Sequence, residues 1–245
     1  MSIMTRTDWD TPVKQRIRAE QLALPYKVDA MLTLPGPECL DIQHLLRTGR
    51  IDSATSGVAV EHFGMHIPHI RRRLADMRLT RWDVRCMELE RLELGGPGSL
   101  QFAYLDMCTA LTSPLCVWMQ RELSRAMRIG GHVSVTFLRQ FRRNRLMAHV
   151  RDSSLFRGTN FRTGTLDMIR DVYDGEVTQI CATLAALTRL SLPTCVLSLR
   201  YAEPYTSDSG AYMFAARFEV VDKQPRTVDK VLLERLALVT GNRTM

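Results

Sequence analysis

The segment LQFAYLDMCTALTSPLCVWMQRELSRAMRIGGHVSVTFLRQFRRNR, residues 100–145, decides the fold. Residues 101–105 and 132–138 are short apolar runs rich in aromatic and β-branched side chains, and each predicts a strand. Between them, apolar residues recur at helical spacing over 114–127, and Gly130-Gly131 is typical of the end of a helix. Strand, helix and strand in this order predict a βαβ unit with parallel strands and a right-handed crossover.

The same patterns extend this unit in both directions. Further apolar runs predict strands at 28–34, 56–60, 82–86, 194–201 and 212–221. Helical periodicity predicts helices at 12–24, 38–47, 64–77, 166–190 and 227–238. We therefore expect an α/β fold: a doubly wound, mostly parallel seven-stranded sheet with a C-terminal antiparallel hairpin and helices on both faces. Residues 1–27 are expected to form an N-terminal helical extension, and 28–245 a single Rossmann-like domain.

The composition is that of an ordinary soluble protein. Of 245 residues, 45% are hydrophobic and 24% are charged, and no apolar run is long enough to predict a membrane span. The polar N-terminus does not resemble a secretory signal. The six cysteines are scattered without a CxxC pair, which favours free thiols in a reducing compartment. We expect a cytoplasmic protein.

Acidic residues follow several of the predicted strands. Asp106 ends the strand that opens the βαβ unit, Glu61 ends the second predicted strand, and Glu88 follows the third. The first strand is followed by the turn Leu34-Pro35-Gly36-Pro37-Glu38. Because the carboxyl ends of parallel strands line the ligand crevice of an open α/β sheet, we expect these residues to lie close together.

This order of strands, with acids at successive strand ends, resembles the class I S-adenosylmethionine-dependent methyltransferases. The resemblance covers residues 28–221 and rests on strand order more than on a sharp motif. It implies a seven-stranded sheet whose last strand is inserted antiparallel, and S-adenosylmethionine as the cofactor. The sequence departs from the family in the first turn, which has one glycine and two prolines where the family has a GxG motif.

The resemblance also implies roles for particular residues. Glu61 would hold the ribose hydroxyls of the cofactor, and Glu88 would accept from the adenine amino group. Asp106 would be the catalytic candidate, near the methyl-bearing sulfonium and the substrate entrance. The full set implied to bind the cofactor is Leu34, Pro35, Gly36, Glu38, Glu61, His62, Glu88, Leu89 and Asp106.

Other interpretations of these residues stay open. Each acid could be a solvated charge at a strand end, and Glu90 is an alternative to Glu88 for the adenine contact. His62 and His66 have the spacing of a metal pair, but no acidic ligand accompanies them, and we predict no metal site. The DPPY and NPPY signatures of amino-directed nucleic-acid methyltransferases are absent after the fourth strand.

A basic tract follows the fifth predicted strand. Arg139, Phe141, Arg142 and Arg143 combine cations for phosphates with a ring that can stack on a base, so we predict that they bind a substrate. The net charge of +7 favours a polyanionic partner such as nucleic acid, although a solvated basic face would have the same composition.

Two functions follow from these observations. The first is an S-adenosylmethionine-dependent methyltransferase, with nucleic acid as a candidate substrate. The alternative is a catalytically inactive methyltransferase-like module whose basic surface binds nucleic acid or a protein partner. The acids at successive strand ends favour the first, and the Pro-Gly-Pro turn favours the second.

Overall fold

The computed structural model describes residues 10–107, 113–138, 195–207 and 210–222. Its strands are β1 (Ala30–Thr33), β2 (Ser56–Glu61), β3 (Trp82–Cys86), β4 (Leu100–Asp106), β5 (Met127–Leu138), β6 (Cys195–Thr206) and β7 (Tyr212–Asp222). Its helices are α1 (Pro12–Gln21), α2 (Leu40–Arg47), α3 (Ile67–Asp76), α4 (Ser113–Trp118) and α5 (Ser124–Ala126), with 3-10 turns at Gly64–His66 and Leu89–Arg91.

The strands form one sheet in the order β3-β2-β1-β4-β5-β7-β6. The first five strands run parallel, and β7 pairs antiparallel with both β5 and β6. The predicted fold class is therefore confirmed: the sheet is mostly parallel, with an antiparallel C-terminal pair. The chain enters the sheet at β1 in its middle and builds outward to each side, which places the tips of β1, β2 and β4 side by side.

Each face of the sheet has its own apolar core. On one face, Ile42 of α2 and Ile70 of α3 pack with Phe102 of β4, and all three are fully buried. On the other face, Trp118 of α4 packs with Ala103 and Leu105 of β4. The alternation of β4 side chains between these cores follows the period-two geometry of a strand.

Helix α1 is held to the sheet by polar contacts with β6 and β7. Thr11 caps it and Pro12 occupies its first turn, as the sequence favours. Arg16 donates two hydrogen bonds to the carboxylate of Glu203 on β6, at 2.7 and 2.6 Å. Near its other end, Arg217 of β7 donates to the carbonyl of Glu20 at 2.8 Å.

The segment between β4 and β5 differs in detail from the prediction. The helix expected over 114–127 is interrupted by a π-helical turn at Met119–Leu123 before α5. The expectation that Gly130-Gly131 ends this helix is wrong, because both residues lie inside β5, which begins at Met127. The register of β4 against β5 shifts here, and a Cβ on Gly131 would lie 2.6 Å from the carbonyl oxygen of Gln101. These glycines therefore allow a β-bulge and a close approach of two backbones, which sequence periodicity does not reveal.

Two predicted helices, 166–190 and 227–238, lie outside the described residues. Within the described part of the chain, no helix is long and apolar enough to span a membrane.

Candidate functional site

The carboxyl ends of β1, β2 and β4 meet at one edge of the sheet. Thr33 at the end of β1 pairs in register with Ala59 of β2 on one side and with Tyr104 of β4 on the other. The residues that follow these strands therefore share one edge, as the sequence predicts for the turn after β1, Glu61 and Asp106. This arrangement is the usual ligand-binding position of an open α/β sheet.

The turn after β1 is compact despite its two prolines. Gly36 and Cys39 both have positive φ angles, 60° and 50°, which is a rare conformation for a residue with a side chain. The amide of Leu34 donates to the carbonyl of Tyr104 at 3.2 Å, which ties the start of the turn to β4. The Cys39 thiol is buried, and burial raises its pKa to about 12, so it is not a reactive thiolate.

Glu38, predicted to contact the cofactor, is engaged by an arginine. Its carboxylate accepts from Arg73 of α3 at 2.6 Å. Arg73 is thus the member of the Arg71–Arg73 run that faces the turn after β1. Periodicity alone did not single out this arginine, because the run projects in several directions around the helix.

Below this turn lies a buried acid that the sequence analysis did not select. Asp41, in the first turn of α2, is 3% exposed and accepts a hydrogen bond from the hydroxyl of Thr33. Its Oδ1 atom has no hydrogen-bond partner, although the backbone amides of Asp41 and Ile42 lie close enough to favour a negative charge. Burial raises the pKa of this carboxyl. The available signal was an acid between two apolar residues, Leu40 and Ile42, at the start of an amphipathic helix.

Glu61 is fixed at the tip of β2. Its Oε1 accepts from the backbone amide of Phe63 at 2.8 Å, and its side chain is 11% exposed. Nδ1 of His66 lies 3.2 Å from Oε2 but does not complete a hydrogen bond, so the two groups are close without being fully paired. His62 and Phe63 pack edge to face, with ring centroids 5.0 Å apart. The carboxylate thus keeps acceptor capacity for a further donor.

The two predicted residues after β3 have different surroundings. Glu88 is exposed and lies 3.7 Å from Arg91, the distance of a weak surface ion pair. Leu89 is buried in the core on the α4 side of the sheet. That core also contains Val60 and Met107, the sequence neighbours of Glu61 and Asp106.

Asp106 lies at the tip of β4, opposite Thr136 of β5. The residue is solvent-exposed, yet the protein packed around it partly desolvates the carboxyl and raises its pKa. Arg18 and Lys14 of α1 and a hydrogen bond from Thr136 oppose this rise. An accessible carboxyl with protein close on several sides fits the floor of an open crevice.

The remaining predicted site residues, Arg139, Phe141, Arg142 and Arg143, lie outside the described residues. Among the residues that the structure does describe, no cluster of histidine, cysteine and acidic side chains could hold a metal ion.

Comparison with solved structures supports one fold class. The mostly parallel sheet with its antiparallel C-terminal pair is that of the class I S-adenosylmethionine-dependent methyltransferases, and the chain has that fold. It is similar to the N-methyltransferase NodS from Bradyrhizobium japonicum WM9, with a TM-score of 0.55 and 10% identity over 87% of this chain and 99% of that one. NodS has also been solved in complex with S-adenosyl-L-homocysteine.

Two further structures show how broad this fold class is. A SAM-dependent methyltransferase from Aquifex aeolicus has a TM-score of 0.50 and 11% identity, over 88% of this chain and 93% of that one. The [4+2]-cyclase SpnF has a TM-score of 0.54 and 13% identity, over 89% of this chain and 85% of that one. No protein-family model matches the chain, and no curated protein sequence matches it. At these identities, the likeness establishes the fold.

Proposed function

We propose that this protein is an S-adenosylmethionine-dependent methyltransferase. The observation that carries the proposal is the Glu61 carboxylate, held at the tip of β2 by the amide of Phe63 at 2.8 Å and still able to accept further hydrogen bonds. A carboxylate so placed can accept from both hydroxyls of a ribose at once. It lies at the edge of the sheet where the turn after β1 also ends.

The charges at this edge fit the proposed cofactor. S-Adenosylmethionine carries a sulfonium and an ammonium group, and the edge presents the buried carboxyl of Asp41 and the accessible carboxyl of Asp106. The buried, unpartnered Oδ1 of Asp41 could accept from a water that bridges it to a bound ammonium group. When bound, the cofactor would supply a methyl group on a positively charged sulfur for transfer to a nucleophile.

In this proposal the chain contributes position and proton handling. Residues Leu34, Pro35 and Gly36 form the wall of the site beneath the cofactor, and Glu61 sets the orientation of its ribose. Asp106 orients the methyl acceptor and receives its proton, since a raised pKa brings a carboxylate closer to the range of an effective general base. Alignment of the acceptor behind the methyl group supplies most of the acceleration.

For the acceptor, we propose nucleic acid. Strand β5 ends at Leu138 on the carboxyl edge, and Arg139, Phe141, Arg142 and Arg143 follow it in sequence. The net charge of +7 supports an anionic partner. We place the activity in the cytoplasm, since a scattered set of cysteines without a CxxC pair suits a reducing compartment.

Calorimetry with S-adenosylmethionine and S-adenosylhomocysteine tests the cofactor. We expect micromolar binding to the intact protein and a loss of about 100-fold in Glu61→Ala, which corresponds to about 2.7 kcal/mol. Asp83→Ala is the matched control, because Asp83 is an exposed acid in β3 paired with Arg85. Absence of binding at millimolar cofactor would instead favour the inactive basic module, and an equal loss in both variants would contradict the role of Glu61 in holding the ribose.

Salt-dependent binding of RNA and DNA tests the acceptor class. Replacing Arg139, Arg142 and Arg143 with alanine should weaken binding and reduce the salt slope by about three. A triple replacement of the exposed Arg47, Arg71 and Arg72 changes the net charge equally and should have a smaller effect. Equal effects of the two triple variants would remove the tract after β5 as the nucleic-acid site.

A further inference from the structure

A line of buried polar side chains connects α1 to Asp106. Gln21, the last residue of α1, is fully buried, and its Nε2 donates to the carbonyl of Val135 at 2.9 Å. Its Oε1 accepts from the hydroxyl of Thr136 at 3.1 Å and from that of Tyr104 at 3.4 Å. Thr136 is 1% exposed and lies directly opposite Asp106 in the pairing of β4 with β5.

The hydroxyl of Thr136 has two acceptors within reach and a single proton. It donates to Oε1 of Gln21 at 3.1 Å, and the carboxylate of Asp106 lies beside it across the β4–β5 pairing as a second acceptor, but it cannot donate to both at once. An ionised Asp106 can only accept, so it competes with Gln21 for this proton. A protonated Asp106 can donate to Thr136, which then donates onward to Gln21.

We propose that Gln21 is a positioning residue for Asp106, because it competes for the Thr136 proton and so couples the docking of α1 to the protonation of the Asp106 carboxyl. With α1 docked, the Thr136 proton is drawn toward Gln21, and Asp106 holds its own proton more tightly. This inference deepens the proposed function, since Asp106 is the proton acceptor there. The coupling itself is a property of the ligand-free protein.

Other charged groups also face Asp106 and set the background for this coupling. Arg18 and Lys14 approach from α1 and favour the ionised carboxylate, and Tyr104 stands below it on β4. Movement of α1 would change these charges together with the Gln21 contact. Substitutions must therefore alter the hydrogen bonds of Thr136 without altering these charges.

Two substitutions meet this requirement and have opposite expected effects. Thr136→Val removes the only hydroxyl donor to Asp106 that faces it from β5, so the pKa of Asp106 should rise by roughly 0.5–1 unit. Gln21→Met removes the competing acceptor and leaves the Thr136 proton to Asp106, so the pKa should fall by a similar amount. The measurement is an NMR titration of carboxyl carbons in the free protein, with the Asp106 resonance assigned from its loss in Asp106→Asn.

Ser134→Ala is the matched control. Ser134 is as buried as Thr136 and also bonds Gln21, but through the main-chain carbonyl at 2.8 Å, with no path to Asp106. In Ser134→Ala the pKa of Asp106 should equal that of the wild type. The same is expected in Thr136→Ser, because serine keeps the hydroxyl, and this variant serves as a second test should Thr136→Val fail to fold.

Shifts of the same sign in Thr136→Val and Gln21→Met, or an unchanged pKa in Gln21→Met, would overturn the inference. Because the NMR titration is made on the protein without cofactor, its result does not depend on whether the calorimetry detects cofactor binding. Loss of cofactor binding with the opposed shifts intact would contradict only the proposed function.

Discussion

Two polar clusters at opposite edges of the sheet differ in how far their hydrogen bonds are made. At the amino edge, the hydroxyl of Tyr26 lies 2.8 Å from Nδ1 of His132 and 3.3 Å from the carbonyl of Gln101. The side-chain carbonyl oxygen of Gln101 accepts from the backbone amide of Asp29 at 2.8 Å. At the carboxyl edge, Oδ1 of Asp41 has no hydrogen-bond partner, and the Thr136 hydroxyl that donates to Gln21 also lies beside Asp106 across the strand pairing.

This difference distinguishes polar groups that only stabilise the fold from polar groups that can still bind a ligand. A buried group whose hydrogen bonds are all made within the chain contributes to stability and has nothing left to offer a ligand. A buried group with an unmade bond lowers stability unless a ligand or water completes it. We therefore expect changes in the Tyr26–His132–Gln101 cluster to alter stability alone, whereas changes at Asp41 should alter stability and binding in opposite directions.

The largest expected effect is a pH dependence from His132. Burial lowers its pKa from 6.5 to about 4, so the unfolded chain binds a proton more readily than the native protein between these values. Stability should therefore be complete above pH 6.5 and should fall by about 3 kcal/mol as the pH drops to 4. Urea unfolding across this range should show a flatter dependence in His132→Asn, which keeps a partner for Tyr26. Equal slopes would remove His132 as the cause.

A smaller effect is expected from Tyr26→Phe. The substitution removes the hydroxyl between His132 and Gln101 and leaves a buried ring nitrogen without a partner. The free energy of unfolding should fall by about 1–2 kcal/mol, with no change in affinity for S-adenosylhomocysteine. Urea unfolding and calorimetry on the same variant check both parts. A large loss of affinity would show that the Tyr26–His132–Gln101 cluster is not purely structural.

The smallest expected effect on stability is at Asp41. Its pKa is raised by burial, so ionisation as the pH rises above the ordinary range for aspartate destabilises the native state. Asp41→Asn should therefore increase the free energy of unfolding by about 1 kcal/mol at pH 7 and by little at pH 3. Affinity for S-adenosylmethionine should fall by about fivefold, about 1 kcal/mol. Stabilisation without any loss of affinity would assign the unpartnered carboxyl oxygen no role in binding.

Local sequence patterns predicted more of the fold than of the candidate site. The runs that became β2, β3 and β7 were predicted within a residue of their ends, because period-two patterns and turn residues are local signals. Glu61 and Asp106 could be selected because a strand end is visible in the sequence. Gln21, Asp41 and Arg73 were missed, since their partners Thr136, Thr33 and Glu38 belong to other elements.

The sequence by itself determined the alternation of strands and helices, the acids at the strand ends and the net charge. Only the tertiary structure decided which of these polar groups are fully paired and which have a hydrogen bond to spare. The physical reason is that periodicity depends on the geometry of one element, whereas hydrogen-bond satisfaction and desolvation depend on which elements pack against each other.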